Sequence, residues 1–484
     1  EPYSKRTNTK EMIAGQLYRK LDWPLIITWF ALVMIGWISV FASVYDEEHA
    51  HILDISQRYG MQFIWIITSL IIASFILFVI NPKLYNVLAW ILYFLSMLLL
   101  FAVIFVGVEV NGSKSWFMIG PVRVQPAELA KITTSFALAS MMSAYNFRLK
   151  RFSSLVKVGL VIVVPMLLII LEKETGSALV FASFLFVLYR EGLSGWYLTF
   201  GILAILLFVV TLAFSSFTSM ILLFVLMVIA KTAFSKRYLH NIVFLAAYLP
   251  VLILSPRVGE LKFIPWALKD VEWLAVFMTV PLLYFMYKAI REKTRYMKYI
   301  LLSFFVSTAL IFSVQFFFDE VLQDHQRARI ENLLGVTEDL QGAGYNVHQS
   351  KIAIGSGGFF GKGFLKGTQT KFNFVPEQST DFIFCTVGEE WGFAGSLVVV
   401  GLFVFMLIRI LTLAERQKDN FTRIYGYALA SVIFMHFFIN IGMTIGIMPV
   451  IGIPLPFVSY GGSSLWAFTI FLFVFIRLDL ERWK

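Results

Sequence analysis

The sequence predicts an all-α polytopic membrane protein, on three observations. Apolar residues make up 59% of the chain and charged residues only 14%, against roughly half and a quarter in a soluble domain. Apolar runs of about 18 residues or more recur along the chain, and they do not alternate, which selects helices over a β-barrel. One polar segment is long, residues 319–381, and the other connections are short.

Taken in order, the runs give spans at 24–44, 60–80, 86–107, 127–145, 155–171, 176–190, 196–214, 217–232, 239–255, 272–289, 298–318, 383–411, 422–446 and 456–477, about fourteen in all. Residues 1–22 are expected as a cytoplasmic N-terminal segment; Glu1 to Lys20 is polar and basic and lacks a small-residue cleavage site, so the run from Trp23 to Val44 is expected to remain as the first span. Spans within 23–195 form a first group, 196–318 a second and 382–484 a last one, with the long loop 319–381 before it. The weakest boundary is the turn from Phe214 to Ser219.

The formal net charge is +10. Lys and Arg gather in alternate loops, among them Arg148 with Lys150-Arg151, Lys236-Arg237, Arg291 through Lys298, and Arg416 with Lys418. Topology therefore explains the charge better than nucleic acid does. The positive-inside rule puts both termini in the cytoplasm and the long loop outside. A lone Cys385 excludes an internal disulfide and a cysteine metal cluster, and the six scattered histidines form no paired-ligand motif.

Chemistry concentrates at the edges of the spans. Asp381 sits where the long polar loop meets an apolar run, and an acid there costs energy unless it is partnered or used. Ser379, Thr380 and Asp381 all suit a helix N-cap, so capping competes with catalysis. Glu389 and Glu390 lie about two turns on, and one of them is expected inside the membrane, paired with a polar group of the cytoplasmic half. Glu128 and Lys131 share a helix face after Pro126, which suits a first helical turn. They read equally as a structural ion pair or as the lining of a polar cavity. Gly, Pro and Trp between Val110 and Glu128 point to a structured interfacial loop.

Arg327 and Arg329 match the geometry of a pyrophosphate clamp, or sit solvated on an interfacial amphipathic helix. The glycines from Gly342 to Gly363 offer backbone N–H groups to an anion, or serve ordinary turns. Pro449, Pro454 and Pro456 around Ser459-Tyr460-Gly461-Gly462 read as a broken or re-entrant helix entry, and His436 with Asn440 as polar glue between helices.

Several ordered motifs then carry a resemblance. Gly344-Tyr345, Gln349-Ser350-Lys351-Ile352-Ala353-Ile354-Gly355-Ser356-Gly357-Gly358, Gly361-Lys362-Gly363, Gly367-Thr368-Gln369, Pro376-Glu377 with Thr380-Asp381-Phe382, and Pro454-Leu455-Pro456-Phe457-Val458-Ser459-Tyr460-Gly461-Gly462-Ser463 closely resemble the SEDS family (shape, elongation, division and sporulation), its elongation branch more than its division branch. Gln125-Pro126-Ala127-Glu128 with Lys131 and Glu389-Glu390-Trp391-Gly392 continue the match.

The resemblance implies a SEDS-type bundle of about ten spans. It implies a peptidoglycan glycosyltransferase of the bacterial cytoplasmic membrane that polymerises lipid II, with a class B penicillin-binding protein as transpeptidase partner. It puts the family's essential aspartate on Asp381 and its membrane Glu–Lys pair on Glu128 and Lys131. Substrate contacts are expected from Arg327, Arg329, Lys351, Gln349, Ser350, Glu377, Thr380 and Ser459. Leaving pyrophosphate needs cationic stabilisation, from those side chains or from a divalent cation such as Mg or Mn. Inversion at the sugar requires one base, for which Asp381 is expected.

There are departures. Residues 196–318 read as five helices where the family has one, and four extra helices keep the parity of the topology. The family's Pro-Asp-Leu-Gly-Thr stands here as Lys173-Glu174-Thr175-Gly176-Ser177, which keeps an acid. A lipid II transporter and a non-catalytic scaffold for the transpeptidase are the competing functions.

Overall fold

A computed structural model of the chain describes residues 20–45, 51–110, 112–120, 122–195, 216–235, 238–260, 270–291, 295–316, 344–371 and 374–483, with single residues between 197 and 211, Phe318 and Arg327. It is helical and falls into two compact units, Gly195–Gly344 and the remainder of the chain on either side. Among the described residues, 11 helices are long and apolar enough to cross a membrane.

The larger unit begins with α1 (Trp23–Ser43), α2 (Arg58–Phe78) and α3 (Lys83–Val106). Asp22 caps α1 by accepting from Leu25 N at 3.2 Å, and the same carboxylate takes Arg409 Nη2 at 2.7 Å. Three strands follow, β1 (Val108–Val110), β2 (Ser113–Ile119) and β3 (Val122–Val124), as an antiparallel sheet in that order. The expected structured loop is thus a small sheet, closed by Gly112 and Gly120 at positive φ. Pro126 opens α4 (Pro126–Met142), as its position before an apolar run predicts. After α5 (Phe152–Leu171) the run predicted at 176–190 is broken into α6 (Thr175–Val180), a 3₁₀ turn and α7 (Phe184–Arg190).

The second unit contains α8 (Ser216–Ser235), α9 (Tyr238–Leu254), α10 (Asp270–Arg291) and α11 (Arg295–Phe316). It has a hydrophobic core of its own, in which Phe224, Leu252, Leu274, Phe285 and Ile311 are buried. The four helices coincide with runs predicted at 217–318. The run predicted at 196–214 lies largely outside the described residues.

The larger unit resumes with α12 (Tyr345–Ser356), the one-turn α13 (Thr368–Lys371), α14 (Ile383–Glu415), α15 (Asn420–Thr444) and α16 (Gly462–Leu480). Helices α15 and α16 form its centre: 72% and 78% of their apolar windows are buried, against 28% in α3 and 22% in α5. In α3 and α5 the remaining apolar side chains point outward, the arrangement lipid allows. The last predicted span starts later than expected. Residues 450–461 form a loop and the helix begins only at Gly462, so no broken helix precedes it.

Candidate functional site

The site is built where that loop meets the start of α14. Glu377 adopts a left-handed φ of 51°, and its carbonyl accepts Thr380 N at 3.1 Å and Phe382 N at 3.2 Å. This tight turn presents Asp381. The N-cap of α14 is Phe382, without a capping side chain, so the capping role weighed for this acid is not the one the fold uses. Asn440 corrects the polar-glue reading: its amide bonds two loop carbonyls, Asp381 O and Ile453 O, rather than a neighbouring helix.

Three successive carbonyls of the turn are clamped. Ser379 O accepts Tyr460 N at 2.9 Å, Thr380 O accepts Ser459 Oγ at 2.6 Å, and Asp381 O accepts Asn440 Nδ2 at 2.8 Å. Each clamp supplies a hydrogen bond from a buried or half-buried donor, worth about 1 kcal/mol net. Together they leave the backbone at Asp381 little freedom. The carboxylate, half-buried, has Oδ2 directed at Gly452, where an added Cβ would stand 3.3 Å away.

A cation that sequence reasoning missed bonds the same turn, two residues before Asp381. Arg58 donates to Ser379 Oγ at 2.6 Å and lies 5.9 Å from the Tyr460 ring centroid, with its side chain exposed. At the head of α2 it looked like an ordinary boundary residue, and its contact is 321 positions away in sequence. Lys351 is exposed on α12, and the end of its side chain lies over Gly446. Gln349 is half-buried on the same helix. Glu377 is exposed, with Oε2 accepting from Thr380 Oγ1 at 3.1 Å.

Two expected substrate contacts hold the scaffold instead. Ser350 is fully buried and donates to Thr444 O at 2.9 Å. Ser459 is buried, spans Leu455 N and Thr380 O, and has no lone hydroxyl to offer. Arg327 lies in the second unit, where its Nε donates to Phe318 O at 3.1 Å. Arg329 lies outside the described residues.

Behind the turn, Glu128 and Lys131 are both buried and paired at 2.7 Å. Lys131 Nζ also reaches His436 Nε2 at 2.8 Å, a third member the sequence did not join to them, and His436 Nδ1 lies 3.2 Å from Pro454 O. Glu174, near by, accepts from Gln125 and Ser177, and burial pushes its carboxyl up. Burial, with Glu174 beside it, lifts Glu172 to about 9.

Glu389 is fully buried, and its partners come from the segment that precedes α14. It gathers Lys362 Nζ at 2.7 Å and the N–H groups of Thr368, Gln369 and Thr370 at 2.7–2.9 Å. The segment read as a glycine-rich anion cradle is mostly helix α12. Its Gly361, at φ 81°, lies against the backbone of Glu390 and Trp391, where a Cβ has no room. Among the described residues no group of three or more His, Cys, Asp or Glu side chains is placed to hold a metal ion.

Comparison with known proteins gives a consistent picture. The FtsW/RodA/SpoVE profile, described as a cell cycle protein, matches residues 22–245 and 274–483. The chain is 30% identical over 469 residues to the peptidoglycan glycosyltransferase RodA of Treponema pallidum (strain Nichols), covering 92% of this chain and 94% of that protein. It is 31% identical over 390 residues to the peptidoglycan glycosyltransferase MrdB of Escherichia coli (strain K12), covering 80% and 76%. In fold it is similar to the crystal structure of the Thermus thermophilus rod shape determining protein RodA, with a TM-score of 0.54 at 22% identity over 96% of this chain and 98% of that one. It is similar also to a chain from a structure concerning coordination of polymerization and crosslinking by a peptidoglycan synthase complex, with a TM-score of 0.57 at 24% identity over 96% and 99%.

Proposed function

The chain belongs to the FtsW/RodA/SpoVE family and is a multi-pass membrane peptidoglycan glycosyltransferase, and from that premise we propose that it polymerises lipid II with Asp381 as general base. The observation that carries this reading is the clamped turn. A half-buried carboxylate sits on a backbone fixed at three successive carbonyls, with the exposed Arg58 bonded two residues away. A base that must meet one hydroxyl gains from such fixed placement.

The acceptor sugar's 4-hydroxyl gives its proton to Asp381 as its oxygen attacks the anomeric carbon of the donor. The bond to undecaprenyl pyrophosphate breaks in the same displacement, and its electron pair stays on the phosphate oxygen. One displacement inverts the anomeric centre, which turns an α-linked donor into a β-linked product. A pyrophosphate leaves without a proton, so the second carboxylic acid used in glycoside hydrolysis is not needed. Arg58 and Lys351 supply positive charge to it, Arg58 with the planar fork that suits phosphate oxygens. Gln349, Glu377 and Thr380 frame the sugars. Among the described residues no group of three or more acidic, His or Cys side chains is placed to hold a divalent cation, and no step passes through one.

The positive-inside pattern supports both termini in the cytoplasm of a bacterium and Asp381 at the outer face of the inner membrane. The partner is a class B penicillin-binding protein, which crosslinks the strands. The test is the purified chain with lipid II. Glycan polymer that lysozyme digests is expected, and substrate moved across a vesicle membrane without polymer contradicts the reading.

A further inference from the structure

Asn440 and His436 sit one turn apart on α15, both fully buried, and both reach the same loop. Asn440 Nδ2 donates to Ile453 O at 2.7 Å and to Asp381 O at 2.8 Å. His436 holds the next carbonyl, Pro454 O, at 3.2 Å, and its other nitrogen meets Lys131 Nζ at 2.8 Å. A lysine ammonium has only donors. His436 Nε2 is therefore the acceptor, and the proton sits on Nδ1, where it is donated to Pro454 O. Gly452, the residue before this pair of carbonyls, lies against Asp381 Oδ2.

We propose that Asn440 and His436 are positioning residues for Asp381, and that the Glu128–Lys131 pair acts on the base through them. Lys131, held by Glu128, fixes the tautomer of His436. His436 and Asn440 then fix the loop at Ile453 and Pro454, and Asn440 ties that loop to the backbone of Asp381. On this account the Glu–Lys pair need not touch substrate. The inference rests on the reading of Asp381 as base.

The experiment measures kcat and KM of the full chain with lipid II for Asn440→Asp, His436→Gln, Lys131→Met, the His436→Gln/Lys131→Met double and Asp381→Asn, with folded fraction and thermal midpoint recorded for each. Asn440→Asp keeps the shape and leaves at most one of the two donors, the O–H of a carboxyl that burial keeps protonated. Its kcat is expected to fall roughly a hundredfold, the cost of misplacing a catalytic group by about 1 Å, with KM little changed. His436→Gln keeps one acceptor and one donor but loses the imidazole ring that spaces them between Lys131 Nζ and Pro454 O. Its kcat is expected to fall about tenfold, and adding Lys131→Met to it is expected to cost less than the two single losses combined. Asp381→Asn is expected to be inactive.

Wild-type kcat in Asn440→Asp beside an inactive Asp381→Asn overturns the positioning role alone. Activity in Asp381→Asn overturns the base assignment instead. If Asn440→Asp does not fold, His436→Gln decides, and a wild-type kcat there overturns the proposal. Losses that merely track the folded fraction also overturn it, since they show a structural role only.

Discussion

Replacing Glu389 by Gln keeps the shape of the side chain and removes one of its two acceptor oxygens. Oε1 accepts from Lys362 Nζ, Thr368 N and Gln369 N, and Oε2 from Thr370 N and Thr370 Oγ1 at 2.9 Å each. An amide turned either way aims its NH₂ group at donors. With its oxygen in the Oε1 position, the buried Thr370 N–H is left without an acceptor, at about 1–3 kcal/mol. The bond to Lys362 loses half of its charge assistance as well, about 1 kcal/mol. We expect a local loss of about 3 kcal/mol, roughly a hundredfold in the opening of α13. Hydrogen exchange read by mass spectrometry over residues 362–371 measures it. Exchange there as slow as in the unsubstituted protein would refute the claim that Glu389 anchors this segment.

Other expectations are simpler. Gly446→Ala places a Cβ on the end of the Lys351 side chain and at φ 76°, where a side chain is strained by about 1–2 kcal/mol; if Lys351 serves the pyrophosphate as proposed, its displacement is expected to raise KM for lipid II roughly fivefold. Arg58→Ala is expected to lower kcat/KM by roughly ten- to a hundredfold, as loss of a charged hydrogen bond does, with Arg58→Lys intermediate; wild-type kinetics in Arg58→Ala would remove it from the site. Glu172 is held protonated up to about 9 in the fold, against 4.5 ordinarily. The folded state therefore binds more protons than the unfolded one across that window, and stability falls as pH rises through it. Thermal midpoints between pH 5 and pH 9 should drop in the unsubstituted protein and drop less in Glu172→Gln.

The spans were legible because lipid demands long apolar helices, and composition alone reveals those. Three runs departed for physical reasons. Helix α4 is only 17 residues long, the 176–190 run breaks into short turns, and the last span begins after a proline-rich loop. The sheet at 108–124 reads in sequence only as a structured loop because β1 and β3 have three residues each and Ser113–Ile119 runs polar then apolar without alternating. Asp381 was legible from its motif and its place at a span boundary. Its environment was not. The residues that fix it, Asn440, Ser459 and Tyr460, are 59–81 positions away, and pairings at that range leave no periodicity to read. His436 and Asn440 were noticed as polar residues one turn apart, and only the fold shows that both serve one loop. Among the described residues of the second unit, four helices are long and apolar enough to cross a membrane.

The central claim is that the clamped carboxylate is the base. Its most direct test is the rate of lipid II polymerisation by purified Asp381→Asn, with binding of lipid II measured on the same preparation. The account predicts binding close to that of the unsubstituted protein and no polymer. Polymer made at the unsubstituted rate would contradict it.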